Sequence, residues 1–375
     1  MLTQSLLPAA LGAALALGKP HANHPLKRQD NTKAAGTNPI AHFSAEYLGQ
    51  QRADNSCSHR DLGFTGVLGG KWYAVYGDTL WCDRGVADAA LDSPGFHGMV
   101  RDALSLTTAD PLVVHDLHLN ADQPVPHQLQ LVPWDAAWGE DITFGFGGTS
   151  LVETADGAGA VFYLVNANKD GLRGAGIAKV ELVNGEPTVT KRFGSNGYWW
   201  PADKCARYGD TAAFRDPHSE YIYIWGGPPT YITDWLNSSY VYQARVKAAD
   251  AYDLSKYEYW WGRSQGWKST LLTEFTPETA VMWGTGQGQL VWNDFFKCYI
   301  FVHLGPGSGD VLLRTADSPQ GPWTPDVKVY EATPIDGGMT YAGVAHPYLD
   351  QSGQTLTISY TNDNHIEVIK VTFSK

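Results

Sequence analysis

Apolar and β-branched residues along this chain fall in short runs broken by Gly, Pro, Asn and Asp. This is the pattern of strands joined by tight turns rather than of helices. The clearest runs are Lys71–Tyr76, Val161–Val165, Tyr221–Trp225, Tyr299–His303 and Thr355–Tyr360. Each follows a shorter Gly-rich apolar segment and precedes a third run, at Val100–Leu106, Ile177–Leu182, Ser239–Val246, Val311–Thr315 and Ile366–Phe373. Four units have room for a fourth strand, at Leu112–Leu119, Pro187–Phe193, Tyr257–Trp261 and Val327–Tyr330. The units open near residues 61, 146, 209, 287 and 341, at intervals of about 85, 63, 78 and 54 residues, as propeller blades with loop insertions do. The last unit ends after three strands, and Ala41–Leu48 is strand-like and unassigned. Pairing the two would close a ring and remove an exposed edge. The expectation is an all-β, five-bladed β-propeller closed by its N-terminal strand. A two-sheet sandwich explains the strand content equally well but not five similar openings. Asp122–Phe144, rich in Pro and Trp, reads as a long loop across one face.

Composition narrows this picture. The 375 residues include 40 Gly, 14 Trp, 19 Tyr and 13 Phe, with only 18% charged, against about 25% in an average soluble protein. That excludes a disordered chain and argues against long solvated helices. Residues 2–18 form a short apolar run rich in Leu and Ala, followed by the dibasic Lys27-Arg28. They read as a signal peptide (1–22) and a pro-segment (23–28) before a single propeller domain (29–375), so the expected location is extracellular. Removing the three cations of residues 1–28 from the 27 Lys+Arg leaves 24 against 39 Asp+Glu, a formal net charge of −15. Nucleic acid and anionic membranes are disfavoured as partners by that charge. In an oxidising compartment, Cys57, Cys82, Cys205 and Cys298 are expected to form two disulfides, with Cys57–Cys82 and Cys205–Cys298 as the favoured pairing. Asn237-Ser238-Ser239 is a glycosylation sequon.

Candidate chemistry gathers where inner strands open, since in a propeller these ends converge on one channel. Asp61 precedes the first inner strand, and Asp210 opens the third within Tyr208-Gly209-Asp210-Thr211. Asp78 lies in the second copy of that tetrapeptide, Tyr76-Gly77-Asp78-Thr79, at the end of a second strand. Glycoside cleavage needs two carboxyl groups, one protonated and one ionised, and burial or a neighbouring charge can separate their pKa values. Each of these Asp residues is also an ordinary turn former. Arg101-Asp102 is one of three Arg-Asp pairs and a candidate for binding substrate. Trp199, Trp200 and Trp225 stand beside loops, where indole faces stack on sugar rings or pack between blades. His346, near an inner-strand opening, is a candidate acid/base or ion-binding group. No metal site is expected from the cysteine and histidine spacing.

Two stretches resemble a known family. Asp61-Leu62-Gly63 with Tyr76-Gly77-Asp78-Thr79, and Gly288-Gln289-Leu290-Val291-Trp292 with Arg314-Thr315-Ala316-Asp317-Ser318-Pro319-Gln320-Gly321-Pro322-Trp323, are similar to the five-bladed propeller family catalogued as a domain of unknown function. Its bacterial members include endo-D-arabinanases, and this chain looks like a secreted fungal member over roughly residues 50–375. The resemblance implies glycoside hydrolysis in the channel, with Asp61 and Asp78 at the family's acidic positions. Gln289 departs from it, standing where a Glu is expected.

Together these observations point to a secreted, monomeric glycoside hydrolase acting on a polysaccharide, arabinan or another furanoside-containing glycan among them. Asp61, Asp78 and Asp210 are its candidate carboxylates, with Arg101, Asp102, Trp199, Trp200, Trp225, Gln289 and His346 binding substrate. No cofactor is expected, and nothing in the sequence supports a structural cation in the channel. Two alternatives stand beside this reading: a non-catalytic carbohydrate-binding propeller, and a polysaccharide lyase with His346 or a Tyr as base.

Overall fold

The computed structural model describes residues 36–86, 96–120, 122, 125–167, 170–305 and 307–375. The expected signal peptide and pro-segment lie outside these residues.

Among the described residues, turns separate five groups of antiparallel strands, here called sheets, each built outward from an inner strand; the fourth and fifth also meet through a parallel pairing of Gly288 with Gly343. The first runs through Ser58–Leu68, Lys71–Cys82, Ala103–Thr107 and Val113–Asp116. The second comprises Val152–Ala155, Ala158–Asn166, Leu172–Val183 and Glu186–Arg192. The third runs Ala212–Arg215, Tyr221–Gly226, Tyr240–Lys247 and Glu258–Trp260. The fourth runs Gly288–Asn293, Cys298–Leu304, Asp310–Ala316 and Val327–Glu331. The fifth takes Thr340–Ala345, Thr355–Asn362 and His365–Ser374 from the C-terminus. Its outermost strand is His42–Gln50, which pairs antiparallel with His365–Ser374 in the register His42 to Ser374.

The innermost strands adjoin in a ring, first to second, third, fourth, fifth and back to first. Each junction between sheets is sealed by its own apolar cluster. Leu68, Val75 and Leu104 of the first sheet meet Val161 and Val180 of the second. Phe162 and Ile177 meet Ile224 and Tyr242 across the next junction. Trp225 and Tyr223 then meet Phe301 and Leu290, and Ile300 and Leu313 meet Ile358 and Val371. The ring returns through two small clusters, Leu62 and Phe64 against Ala342 and Val344, and Tyr76 and Ala103 against Ile366. Backbones approach closely at the centre: a β-carbon on Gly66 would lie 1.8 Å from the Leu151 carbonyl oxygen, so only glycine fits.

The propeller architecture and the closing N-terminal strand agree with the strand pattern. Residues 125–144 are mostly irregular, as expected, but anchored rather than loose. Arg192 holds Glu140 in a buried bidentate pair at 2.5 and 2.9 Å, and Leu131, Val132 and Phe144 enter the junction between the first two sheets.

One expected disulfide is present, Cys57–Cys82. The other is not: Cys205 and Cys298 are free and buried. Cys205 belongs to the cluster between the second and third sheets and Cys298 to that between the fourth and fifth. They serve different junctions, and burial pushes their thiols up to about 11 and about 12, so both stay protonated and inert. Alkylation of the denatured, unreduced protein followed by peptide mass analysis should therefore label Cys205 and Cys298 and find Cys57 joined to Cys82. A Cys205–Cys298 bridge would contradict the arrangement.

Candidate active site

The inner strand of the first sheet is irregular where its chemistry lies. Its register with Lys71–Cys82 slips between Arg60 and Leu62 and again between Leu62 and Phe64. Arg60 pairs with Thr79 and Leu62 with Tyr76, so Asp61 stands opposite Gly77 and Asp78 together. Leu62 takes a left-handed φ of 66° and Gly63 one of 90°. A non-glycine residue in that region costs on the order of 1–3 kcal/mol and persists only when its surroundings hold it there. Here the Leu62 side chain is buried between the first and fifth sheets, and its N–H donates to Thr361 Oγ1 at 2.8 Å. Gly77 completes the bulge, because a β-carbon there would lie 2.3 Å from Asp61 Oδ1.

This geometry assembles a carboxyl pair. Tyr341, opening the inner strand of the fifth sheet, donates its hydroxyl to Asp61 Oδ2 at 2.6 Å. Asp61 Oδ1 is enclosed with no hydrogen-bond partner, although the residue as a whole keeps part of its surface open. Arg101 Nη1 donates to Asp78 Oδ2 at 3.3 Å, and these two side chains remain 21% and 14% exposed. Burial, then the negative charge of Asp78, raise the Asp61 pKa from 3.8 to about 7, against the opposing Tyr341 hydrogen bond and Arg101 charge. Burial also raises Asp78, while Arg101 pulls it down. Burial and the negative charge of Asp61 hold the Tyr341 phenol well above its usual range, so it stays a donor. The surroundings therefore favour the proton on Asp61 and leave the Asp78 carboxyl beside the Arg101 charge. That asymmetry is what general acid catalysis beside an ionised carboxylate requires.

The remaining expected site residues lie elsewhere or face inward. Asp210 is at the same end of the ring, next to Thr211, whose carbonyl accepts from Gly288 N–H at 3.0 Å. Its carboxylate is taken by Arg207 at 2.8 Å, so the second Tyr-Gly-Asp-Thr copy forms a local ion pair rather than a carboxyl pair. Trp200 and Trp225 are 1% and 0% exposed, which corrects the expectation of a sugar-facing rim. Trp200 is packed among Trp199, Tyr208 and Tyr257, and Trp225 against Tyr223. Trp199, half-buried, packs edge-on to Trp200 and Tyr257 as well.

Asp102 is fully buried and accepts from Val132 N–H at 2.7 Å, so it anchors the long loop and burial raises its pKa well above the usual value. His346 is buried between Ser359 Oγ at 2.8 Å and Tyr348 Oη at 3.1 Å, and burial lowers its pKa to about 4. It is neutral and structural, not an acid/base group facing substrate. Gln289 ties the fourth sheet to the first, donating to the Thr65 carbonyl at 2.8 Å and Thr65 Oγ1 at 2.9 Å and accepting from Thr65 N–H at 3.3 Å. An ionised Glu could not donate to that carbonyl, which accounts for the amide at this position. Tyr341 was missed because no motif marks it; its only sequence signal is its place at the opening of the fifth unit. Among the described residues, no group of three or more His, Cys, Asp or Glu is placed to hold a metal.

Residues 188–371 match the family model described as Domain of unknown function (DUF4185). The match covers a little under half of the chain and includes Tyr341 but not Asp61 or Asp78. No curated protein matches the chain. Among solved structures, a Bacteroides ovatus protein assigned as a hydrolase superposes with a TM-score of 0.57 at 16% identity, covering 87% of each chain. A family 117 glycoside hydrolase of the marine bacterium Zobellia galactanivorans gives 0.48 at 12% identity, over 90% of this chain and 92% of that one. A GH43_1 enzyme from Xanthomonas citri gives 0.48 at 13%, over 85% and 90%. At such identities the first likeness concerns the fold.

Two outcomes test the site's physics. Asp61 keeps its proton in the folded chain between pH 3.8 and about 7, where the unfolded chain has lost it. Stability attributable to Asp61 thus falls as pH rises through that window. Asp61→Asn should remove this slope, read as the difference in urea midpoint between wild type and variant across pH 4–8 (about the window named). A constant difference would contradict the assigned environment. Gln289→Glu should destabilise the fold by about 1–3 kcal/mol at pH 7 through the lost donor and a buried charge, with no gain in catalysis.

Proposed function

We propose that the protein is a glycoside hydrolase acting on a polysaccharide or oligosaccharide at the channel mouth. The observation that carries this reading is the Asp61–Asp78 pair, in which one carboxyl is held protonated near neutral pH and the other is charge-paired with Arg101. In the reaction, the Asp61 proton passes to the glycosidic oxygen as its bond to the anomeric carbon breaks. Asp78 either takes a proton from the water that attacks the anomeric carbon, or itself bonds to that carbon and is displaced in a second step by water that returns a proton to Asp61; the anomer released first distinguishes the two. Tyr341 keeps Asp61 oriented throughout, and the Arg101 charge opposes protonation of Asp78. The resemblance of Asp61-Leu62-Gly63 and Gly288–Trp292 to a family with endo-D-arabinanases makes arabinans the first substrates to try. The apolar run at residues 2–18 and Lys27-Arg28 support action outside the cell, where such polymers are met.

A lyase relying on His346 is disfavoured by that residue's two hydrogen bonds and its burial. The test is reducing-end release from arabinans and other neutral glycans. Asp61→Asn and Asp78→Asn should each lower the rate by about 10²–10⁴-fold while folding is retained in circular dichroism. The wild-type rate should fall as pH rises through about 7, where Asp61 loses its proton. Tight glycan binding without product, unchanged in both variants, would show a binding module instead. An unsaturated uronate product would show a lyase.

A further inference from the structure

Beside the carboxyl pair the surface opens into a cleft of about 450 Å³ between the start of the first inner strand and the last hairpin of the fifth sheet. Arg52, His59, Arg60, Arg84, Asn364 and His365 contribute to its walls, and among the described residues no Asp or Glu lines it. That is a marked departure in a chain with 39 Asp+Glu against 27 Lys+Arg. Three carboxylates close by have partners turned elsewhere. Asp116 holds Arg60 at 2.8 Å, Asp54 bonds His115 at 2.8 Å and Asp83 bonds His97 at 2.7 Å. Arg52 and Arg84 are exposed, and among the described residues neither has a carboxylate partner; Arg84 makes one bond, to the Asn55 carbonyl at 3.3 Å. His59 and His365 lie against each other in one wall of the cleft, with ring centroids 4.7 Å apart and planes tilted by 46°. The wall is fixed from behind by Cys57–Cys82 and by Arg60 N–H donating to the Asn364 carbonyl at 2.8 Å.

The cleft adjoins the strand that carries Asp61: His59 and Arg60 line it, and Asp61 is the next residue. His59 and Asp61 flank Arg60, whose side chain turns into the sheet toward Asp116. Two guanidinium groups suit oxyanions because they offer forked donors to paired oxygens, and the imidazole rings add ring faces against which a sugar can pack.

We propose that this cleft is a subsite for an anionic substituent on the glycan, a uronate carboxylate or a sulfate ester, on the side of the carboxyl pair where the first inner strand begins. The inference rests on the glycoside reading for its placement but is tested by binding. It reconciles an acidic protein with a charged ligand: the overall field is negative, while the local one at the cleft is positive.

The experiment is calorimetric titration of the full-length protein with three xylo-oligosaccharide probes of equal length: unsubstituted, bearing glucuronic acid, and sulfated. The charged probes should bind about tenfold more tightly than the neutral one at low salt, and the gap should close as salt screens the contact. Preference for the glucuronate probe over the sulfated one identifies the carboxylate as ligand, and the reverse identifies the sulfate. Arg52→Ala with Arg84→Ala should erase the preference and leave affinity for the neutral probe unchanged, and Lys at both positions should restore part of it. Equal affinity of the wild-type protein for all three probes would overturn the proposal, as would a preference that survives the double Ala variant with its melting temperature intact. The two readings separate cleanly. Charge-selective binding with no product release from any glycan defeats the hydrolase and leaves the cleft standing. Hydrolysis of neutral glycans without charge preference does the opposite.

Discussion

Everything in this molecule depends on closing a ring with strands from opposite ends of the chain. His42–Gln50 supplies the outer edge of a sheet whose other strands begin at Thr340, so the backbone hydrogen bonds of one sheet join the two ends of the described chain. A sheet left one strand short would present unpaired N–H and C=O groups along its outer edge. The junction this closure creates, between the fifth sheet and the first, is also unlike the others. Its apolar clusters are small, and polar groups share it: Leu62 N–H donates to Thr361, Thr65 donates to the Ala345 carbonyl, and Tyr341 reaches Asp61. The carboxyl pair lies on this seam.

That placement has a physical logic. A junction filled with large apolar residues has no space for a charged carboxyl, whereas a polar seam can orient one from both sides. The first sheet contributes Asp61, Asp78 and Arg101, and the fifth contributes Tyr341. Most buried charges nearby are fully engaged. Arg60 is held by Asp116, Ser105 and Ser58, and Asp116 in turn accepts from Ser56. Breaking such a buried pair costs about 3–5 kcal/mol, since a lone charge remains. Against that background the unpartnered Oδ1 of Asp61 and the left-handed Leu62 are local exceptions. Both occur at one bulge, where an unsatisfied, proton-holding group is chemically useful.

Much of the architecture was legible because strand periodicity and turn residues are local signals. The five inner strands lie where Gly-rich openings precede apolar runs, and Ala41–Leu48 falls on the strand that closes the ring. The site was legible in part. Asp61 and Asp78 were singled out by position, yet so was Asp210, and the identical Tyr-Gly-Asp-Thr text around Asp78 and Asp210 has opposite outcomes. Gly77 admits Asp61, whereas Gly209 takes a φ of 100° and a β-carbon there would lie 2.7 Å from Phe162 Cβ. No local pattern distinguishes them, because the difference lies in which strand passes opposite. The same holds for Trp200 and Trp225, where loop-like neighbours concealed full burial, and for Cys205 and Cys298, whose even count said nothing of their separate junctions.

The amino-acid sequence by itself therefore determined the strand content, the order of repeats, the strand that completes the last sheet and the short list of acidic residues that chemistry could use. Alternation, turn chemistry and composition act over a few residues, and those are the interactions a linear pattern records. The tertiary structure decided which Asp meets which partner, that Tyr341 joins them, that Gln289 and His346 serve packing rather than substrate, and that a basic cleft exists on an acidic protein. Each of these turns on contacts between residues far apart in the chain, as with Asp61 and Tyr341, separated by 280 positions. Burial and charge pairing at that range set the pKa values and the open cations, and only the closed ring specifies them.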